Sequence, residues 1–351
     1  MQFRQLGRTG CTVSEIGFGA WGIGGAMWQG GDDDAALAAL EAAFDLGVNF
    51  VDTALAYGDG HSEKLVGRAV AAAEARHRAD GATNAPDSGT APSGAVAKRR
   101  EPIVVASKIP PEDRVWPARP GTTLARVFSA DYVKRCAETS AANLGRPVDV
   151  LQFHVWRDEW LKEPEWRKVE RALASLIAAG TVRHVGISNT EHDPTSALEA
   201  VRHCDLIEVL QVIYNIFDQQ PQDALLPACL ERRVGVIVRV PLDEGGLTGT
   251  IRPGVRFPPG DWRHRYFRGD RPAQVAARVE TLRPALLKEA GTLAEGALRF
   301  CLSHDAVGTV IAGMRTAEHA RENCAVSDGR RLSPALLAEL TKHAWPRNFY
   351  Q

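Results

Sequence analysis

Short runs of consecutive apolar residues recur along the chain, and between them apolar positions return every three or four residues. Unbroken apolar runs mark strands buried on both faces, whereas the second pattern marks helices with one buried stripe. In order, a strand over Glu15–Gly19 is followed by a helix over Asp33–Leu46, a strand over Val48–Asp52 and a helix over Ser62–Ala79. Strand Ile103–Ser107 leads to helix Ala130–Leu144, strand Val148–Phe153 to helix Glu163–Ala179, and strand Val182–Ile187 to a helix around Thr195–His203. Strand Ile207–Val212 precedes helix Pro221–Arg232, and strand Val234–Val240 precedes helices Pro272–Leu287 and Thr292–Ser303. Strand Gly308–Ala312 and helix Thr316–Val326 close the pattern, with an appended helix at Pro334–Ala344. Eight strands with helices between the later ones predict an α/β fold in 351 residues. A closed (β/α)8 TIM barrel is favoured over an open doubly wound sheet. Residues 2–15, with the turn Gly7-Arg8-Thr9-Gly10, suit an N-terminal β-hairpin, and the C-terminal helices are extra to the barrel.

Residues 1–351 read as one domain with two interruptions. The stretch 80–100 is rich in Gly, Ala, Pro and Ser and predicts a flexible insertion. The stretch 249–271 mixes arginines and aromatics with Gly and Pro, either as a lid over a ligand or as a packed surface loop. Gly17, Gly19 and Gly22 match the dinucleotide fingerprint G-x-G-x-x-G, but that motif must open a helix directly, and further glycines intervene before the helical pattern at Asp33.

Composition narrows the class. Apolar residues make up 44% of the chain and charged residues 24%, as in a globular protein with an ample core. A formal net charge of −1 gives no basic or acidic excess for nucleic acid or an anionic membrane. The six cysteines are scattered without metal-ligand spacing. No stretch reaches the ~20 apolar residues of a membrane span, and no secretory signal is visible near Met1. A cytoplasmic protein is expected.

Active sites in such barrels lie at the C-terminal ends of the strands. Those ends carry Asp52, Lys108, His154, Ser188 with Asn189, Gln211, Arg239 and Gly313, and Tyr57 follows Asp52 closely. A phenol with a pKa near ~10 is a poor acid at neutral pH. A neighbouring lysine favours the phenolate, so Lys108 is expected to lower the Tyr57 pKa, with Asp52 holding the ammonium. His154 is placed to orient a substrate carbonyl. None of the four supplies a hydride, so reduction requires a cofactor. Singly, each has a plainer reading as a cap, core or rim residue.

The stretch DTALAYGDGHSE (52–63) with Gly67 resembles the first signature of the aldo-keto reductases. VVASK (104–108) and VDVLQFH (148–154) resemble the segments carrying that family's lysine and histidine, and GISN and LQVIYN those holding the nicotinamide carboxamide. VPLDEGGLTG (240–249) resembles the family's cofactor loop, and IAGMRTAEHARENCAV (311–326) its adenosine-phosphate segment. The resemblance spans about 2–328 and implies a metal-free barrel using NADPH, or NADH, on a small carbonyl or alcohol substrate. It implies Tyr57 as general acid/base with Asp52, Lys108 and His154. It also implies cofactor contacts from Gly19, Ala20, Trp21, Asp52, Ser188, Asn189, Gln211, Arg239, Val240, Pro241, Leu242, Gly246, Leu247, Gly313, Met314, Arg315, His319, Glu322 and Asn323.

Two positions depart from the family pattern. Arg239 replaces an aromatic that stacks on nicotinamide, although a planar guanidinium also stacks. His319 stands where an arginine often reads the 2′-phosphate, with Arg315 and Arg321 nearby. Trp21 and Trp156 are candidate walls of a substrate pocket shared with Tyr57 and His154, or packed tryptophans. The rival functions are a cofactor-binding regulatory barrel with little turnover and a metal-dependent hydrolase. The latter needs clustered histidine and acidic ligands that the sequence lacks.

Overall fold

The structure is a computed structural model that describes residues 1–25, 27–28, 31–83, 101–189, 193 and 195–346. The insertion expected at 80–100 lies outside these residues apart from its first four, which continue the helix His61–Thr83.

Among the described residues ten strands run in chain order: β1 (Phe3–Gln5), β2 (Thr12–Ser14), β3 (Ile16–Gly19), β4 (Phe50–Asp52), β5 (Val104–Ile109), β6 (Val148–Phe153), β7 (Val182–Ser188), β8 (Ile207–Ile213), β9 (Gly235–Arg239) and β10 (Val307–Gly313). The last eight form a closed parallel barrel in the order β10-β3-β4-β5-β6-β7-β8-β9, and β1 and β2 form an antiparallel hairpin. The (β/α)8 barrel, the hairpin and the C-terminal helices expected from the sequence are all present. The hairpin lies at the end of the barrel away from Asp52, where Leu6 and Val13 pack onto the interior cluster. Arg4 fastens it by donating to the carbonyls of Val307 and Leu302, each at 2.7 Å.

Strand periodicity explains the interior. Alternate residues face opposite sides of a strand, and Phe50, Val104, Ala106, Val150, Val209, Ile237 and Ile311 form one apolar cluster inside the barrel. Their neighbours Val51, Val105, Leu151, Phe153, Leu210 and Val238 belong to the other cluster, packed under the helices. Two residues beyond the inward apolar positions stand Asp52, Lys108, Gln152, Gln211 and Arg239. The same alternation that fills the barrel therefore delivers a ring of polar side chains to its C-terminal mouth. Gly17 serves packing, because a Cβ there would fall 2.9 Å from both Phe50 Cδ1 and Thr309 Oγ1. Gly22 lies in a 3-10 turn, Ala20–Ile23, and among the described residues the next α-helix begins at Asp33, so the three glycines open no α-helix.

Side-chain caps set several helix starts. Ser129, Thr292, Thr316 and Ser333 accept from the N–H groups of Tyr132, Glu295, His319 and Leu336. Three expected elements differ. The helix around Thr195–His203 is confined to Leu198–His203, with 190–192 and 194 outside the described residues. Pro221 falls in the turn Gln220–Gln222, and the helix after it spans Leu225–Arg232. Within 249–271 a short helix, Trp262–Tyr266, forms with Asp261 as its cap. No helix among the described residues is long and apolar enough to cross a membrane.

Candidate active site

The centre of the barrel mouth is Lys108, inside β5 and almost fully buried. An ammonium has three donors, and Nζ uses them on Asp52 Oδ1 at 2.5 Å, the Thr53 carbonyl at 2.8 Å and Tyr57 Oη at 3.1 Å. Because Lys108 donates to the phenol oxygen, the phenol keeps its own hydrogen for another acceptor. The second oxygen of Asp52 accepts from Gln211 Nε2 at 2.6 Å and Gln152 Nε2 at 3.3 Å. Both carboxylate oxygens are thereby occupied, and the lysine cannot turn away without leaving a buried charge. His154 enters from the end of β6, its backbone N–H bonded to the Ile109 carbonyl at 3.0 Å, and its ring centroid lies 5.8 Å from that of Tyr57.

The electrostatics correct one expectation. Burial raises the Tyr57 pKa above the ordinary phenol value, outweighing the opposing pull of Lys108. The physical reason is that a phenolate loses its hydration here, while much of the lysine charge is answered by Asp52. Tyr57 is accordingly a neutral phenol at neutral pH. For Lys108, burial works downward, but Asp52 and then Tyr57 more than offset it, so the ammonium is held above its usual value. His154 is pushed well below the usual histidine value by burial, Lys108 and Arg239, which leaves a neutral ring with a single N–H. Its Nδ1 is buried and meets no protein partner among the described residues.

Aromatic rings surround the phenol. Trp21 lies 6.2 Å from Tyr57, 5.7 Å from Trp28 and 5.8 Å from Trp262, while Trp116 lies 5.8 Å from the His154 ring on the other side. Trp156 is elsewhere: it has no exposed surface and packs among Phe153, Trp160 and Trp166. Its expected place in a pocket wall is not met, because a step past His154 carries the chain off the barrel mouth and under the helices. Trp116 was not among the candidates, since it sits in an irregular stretch with no strand end to mark it. Gln152 was missed too, although a polar residue two before His154 in an apolar run was a visible signal.

The remaining candidates line the rim unevenly. Ser188, Asn189 and Gln211 are buried at adjacent strand ends, with Ser188 paired to Gln211 in register. Gln211 spends its amide N–H groups on Asp52 and on Gln152 Oε1 at 3.3 Å, leaving its Oε1 to accept. Asn189 Nδ2 donates to the Asp193 carbonyl at 3.0 Å. Arg239 reaches back to the Asn189 carbonyl at 3.2 Å. Val240, Pro241, Leu242, Gly246 and Leu247 form the turn after β9, and Gly313 ends β10 with nothing within 4 Å of where a Cβ would stand. Gly19 lies across from it in register. Arg315 precedes the capped helix Ala317–Ala325, which itself carries His319, Glu322 and Asn323, whereas Ala20, Leu247 and Met314 are wholly buried and offer backbone alone. An amide acceptor, an open glycine at a strand end and a capped helix N-terminus fit the parts of a nicotinamide dinucleotide. Among the described residues, no group of three or more His, Cys, Asp or Glu is placed to hold a metal ion.

Comparison with known proteins gives the following. The model of the Aldo/keto reductase family matches residues 15–344. The pyridoxal 4-dehydrogenase of Microbacterium luteolum is 29% identical over 332 residues, covering 91% of each chain. The NADH-specific methylglyoxal reductase of Escherichia coli is 27% identical over 333 residues, again covering 91% of each. Among solved structures, the glycerol dehydrogenase from Gluconobacter oxydans matches with a TM-score of 0.73 at 23% identity, over 97% of this chain and 94% of that one.

Proposed function

The chain belongs to the aldo/keto reductase family, and from that premise we propose that it reduces an aldehyde or ketone to the alcohol, or runs the reverse, with Tyr57 as general acid/base. One observation carries the reading: Lys108 donates to Tyr57 Oη with its last free hydrogen, so the neutral phenol is poised to donate outward. A nicotinamide cofactor supplies the hydride. The chain's own residues do the rest. Tyr57 O–H and the His154 N–H bond the carbonyl oxygen and fix its position between the aromatic walls. As negative charge grows on that oxygen Tyr57 passes its proton to it, and the adjacent ammonium stabilises the phenolate left behind.

In this reading Ser188, Asn189 and Gln211 would hold the carboxamide, Arg239 would contribute to the nicotinamide end, and Val240–Gly249 would bind the diphosphate. NADPH is preferred, with Arg315, His319 and Arg321 near the helix N-terminus to read a 2′-phosphate. The cytoplasm suits six unpaired cysteines, five of them buried. A regulatory barrel with little turnover has no use for the complete Asp52–Tyr57–Lys108–His154 set. The relatives' names offer pyridoxal and methylglyoxal as first carbonyls to try, and the indole walls suit the flat ring of the former.

The test is a fluorescence titration with NADPH and NADH, then a carbonyl panel with the tighter cofactor. Tight NADPH and weak NADH binding is expected. A preference for NADH overturns the 2′-phosphate assignment, and binding of neither overturns the enzyme reading.

A further inference from the structure

The turn after β9 is held in an unusual backbone conformation. Val240, Asp243 and Glu244 have φ of 55°, 50° and 53°, and Gly245 has 98°. Side chains of L-residues rarely tolerate this region, least of all a β-branched valine, and such strain persists where the surroundings over-determine it. Here they do so through the Asp243 carboxylate, which is completely buried. Arg271 Nη2 donates to Oδ1 at 2.8 Å and to Oδ2 at 3.1 Å, and the Tyr266 hydroxyl donates to Oδ1 at 2.5 Å. Oδ2 lies so close over Gly246 that a Cβ there would come within 2.2 Å of it. Arg271 is itself buried, with its guanidinium 4.6 Å from the Tyr266 ring and 4.9 Å from that of Trp345.

The two residues that grip Asp243 come from the aromatic segment 257–271. Trp262, one helical turn before Tyr266, lies 6.2 Å from it and 5.8 Å from Trp21, which in turn faces Tyr57. The backbone N–H of Trp262 also donates to the Met27 carbonyl at 2.8 Å. A single carboxylate therefore joins the turn after β9 to the wall of the substrate pocket. Nothing in the mechanism requires this contact, and it removes two charges from water. Burial of that kind is retained where it fixes a geometry.

We infer that Asp243, Arg271 and Tyr266 are positioning residues that latch the Val240–Gly249 turn to the aromatic cap, so that cofactor seated on the turn fixes Trp262 over the substrate. The inference rests on that turn being the cofactor segment. Coupling of this kind is reciprocal: whatever the bound cofactor adds to the rigidity of the cap, an intact cap returns in cofactor affinity.

The experiment is hydrogen exchange on the full-length protein, with and without saturating NADPH, in wild type, Tyr266→Phe and Asp243→Asn, alongside cofactor Kd. In wild type, cofactor should slow exchange in peptides from both 240–249 and 257–271. Tyr266→Phe removes one bond to Asp243 and keeps the ring on Arg271, so it should fold normally. Protection of 240–249 should remain in this variant, protection of 257–271 should be largely lost, and Kd should rise about fivefold or more. Asp243→Asn should show the same separation more strongly. Equal protection of 257–271 in wild type and both variants overturns the latch, as does a wild-type cap that cofactor leaves unprotected. A lower melting temperature with unchanged Kd and unchanged protection reduces the cluster to a structural one and overturns it too. Failure of wild type to bind either cofactor removes both this inference and the reading beneath it.

Discussion

Asp52→Asn separates the electrostatic role of the aspartate from its shape. The substitution keeps the side-chain outline but removes the charge that holds Lys108 ionised. It also places an amide where two acceptor oxygens stood: with Asn Oδ1 facing Lys108, its NH2 meets the donor nitrogens of Gln211 and Gln152. The ion pair is almost completely buried, with 1% and 3% of the two side chains exposed. Breaking one partner of such a pair costs about 3–5 kcal/mol. With an unfolding entropy of ~2.1 cal/mol/K per residue, 351 residues give ~0.74 kcal/mol/K, so the melting temperature should fall by about 4–7 °C. Carbonyl reduction should fall by about 10²–10³-fold, the range for losing one electrostatic element of a site.

The pH dependence gives the sharper check. In wild type the Lys108 pKa is raised, so its contribution is complete below the unfolded value near ~10.4 and is lost as pH rises through the higher folded value. In the variant burial acts without Asp52, and the folded value drops below the unfolded one. The unfolded chain then binds more protons than the folded one, and stability rises with pH towards ~10. From neutral pH to about 10 the variant's rise alone narrows the stability gap, and the decline of wild type follows only above that range. Thermal unfolding of the two proteins at intervals from neutral pH to about 10 would show this. A gap that stays constant, or a melting shift near zero at neutral pH, would refute the assignment of Asp52 as the charge that keeps Lys108 protonated.

Two further substitutions test neighbouring parts of the site. Tyr57→Phe removes the proposed proton donor and leaves the ring and its packing, so carbonyl reduction should fall about 10²–10⁴-fold while cofactor Kd stays within about twofold in a titration. Retained turnover would hand the acid role to another group. Gln152→Leu deletes one bond to the Asp52 carboxylate, worth about 1.5–3 kcal/mol, and one that steadies Gln211, worth about 0.5–1.5 kcal/mol. Isothermal titration should show cofactor binding weakened about two- to tenfold, and no change would mean that Gln211 needs no such support.

The fold was legible in the sequence because buried parallel strands and amphipathic helices leave patterns that depend only on near neighbours. Eight apolar runs separated by helical stripes specify the barrel, and alternation within each run carries Asp52, Lys108 and His154 to the same end. Gly-Arg-Thr-Gly marked the hairpin for the same local reason. What escaped the sequence depends on groups far apart along the chain. The direction of the Tyr57 pKa shift is a contest between burial and a lysine already engaged by Asp52, and the residue types do not say which wins. Trp116 and Trp156 look alike as letters, yet one faces His154 and the other lies among Phe153, Trp160 and Trp166. Gln152 matters through Asp52, a hundred positions away. Asp243 meets Arg271 and Tyr266 only once the turn after β9 and the following segment fold against each other. Periodicity records which way a side chain points, but the partner it finds there is decided by packing between distant segments.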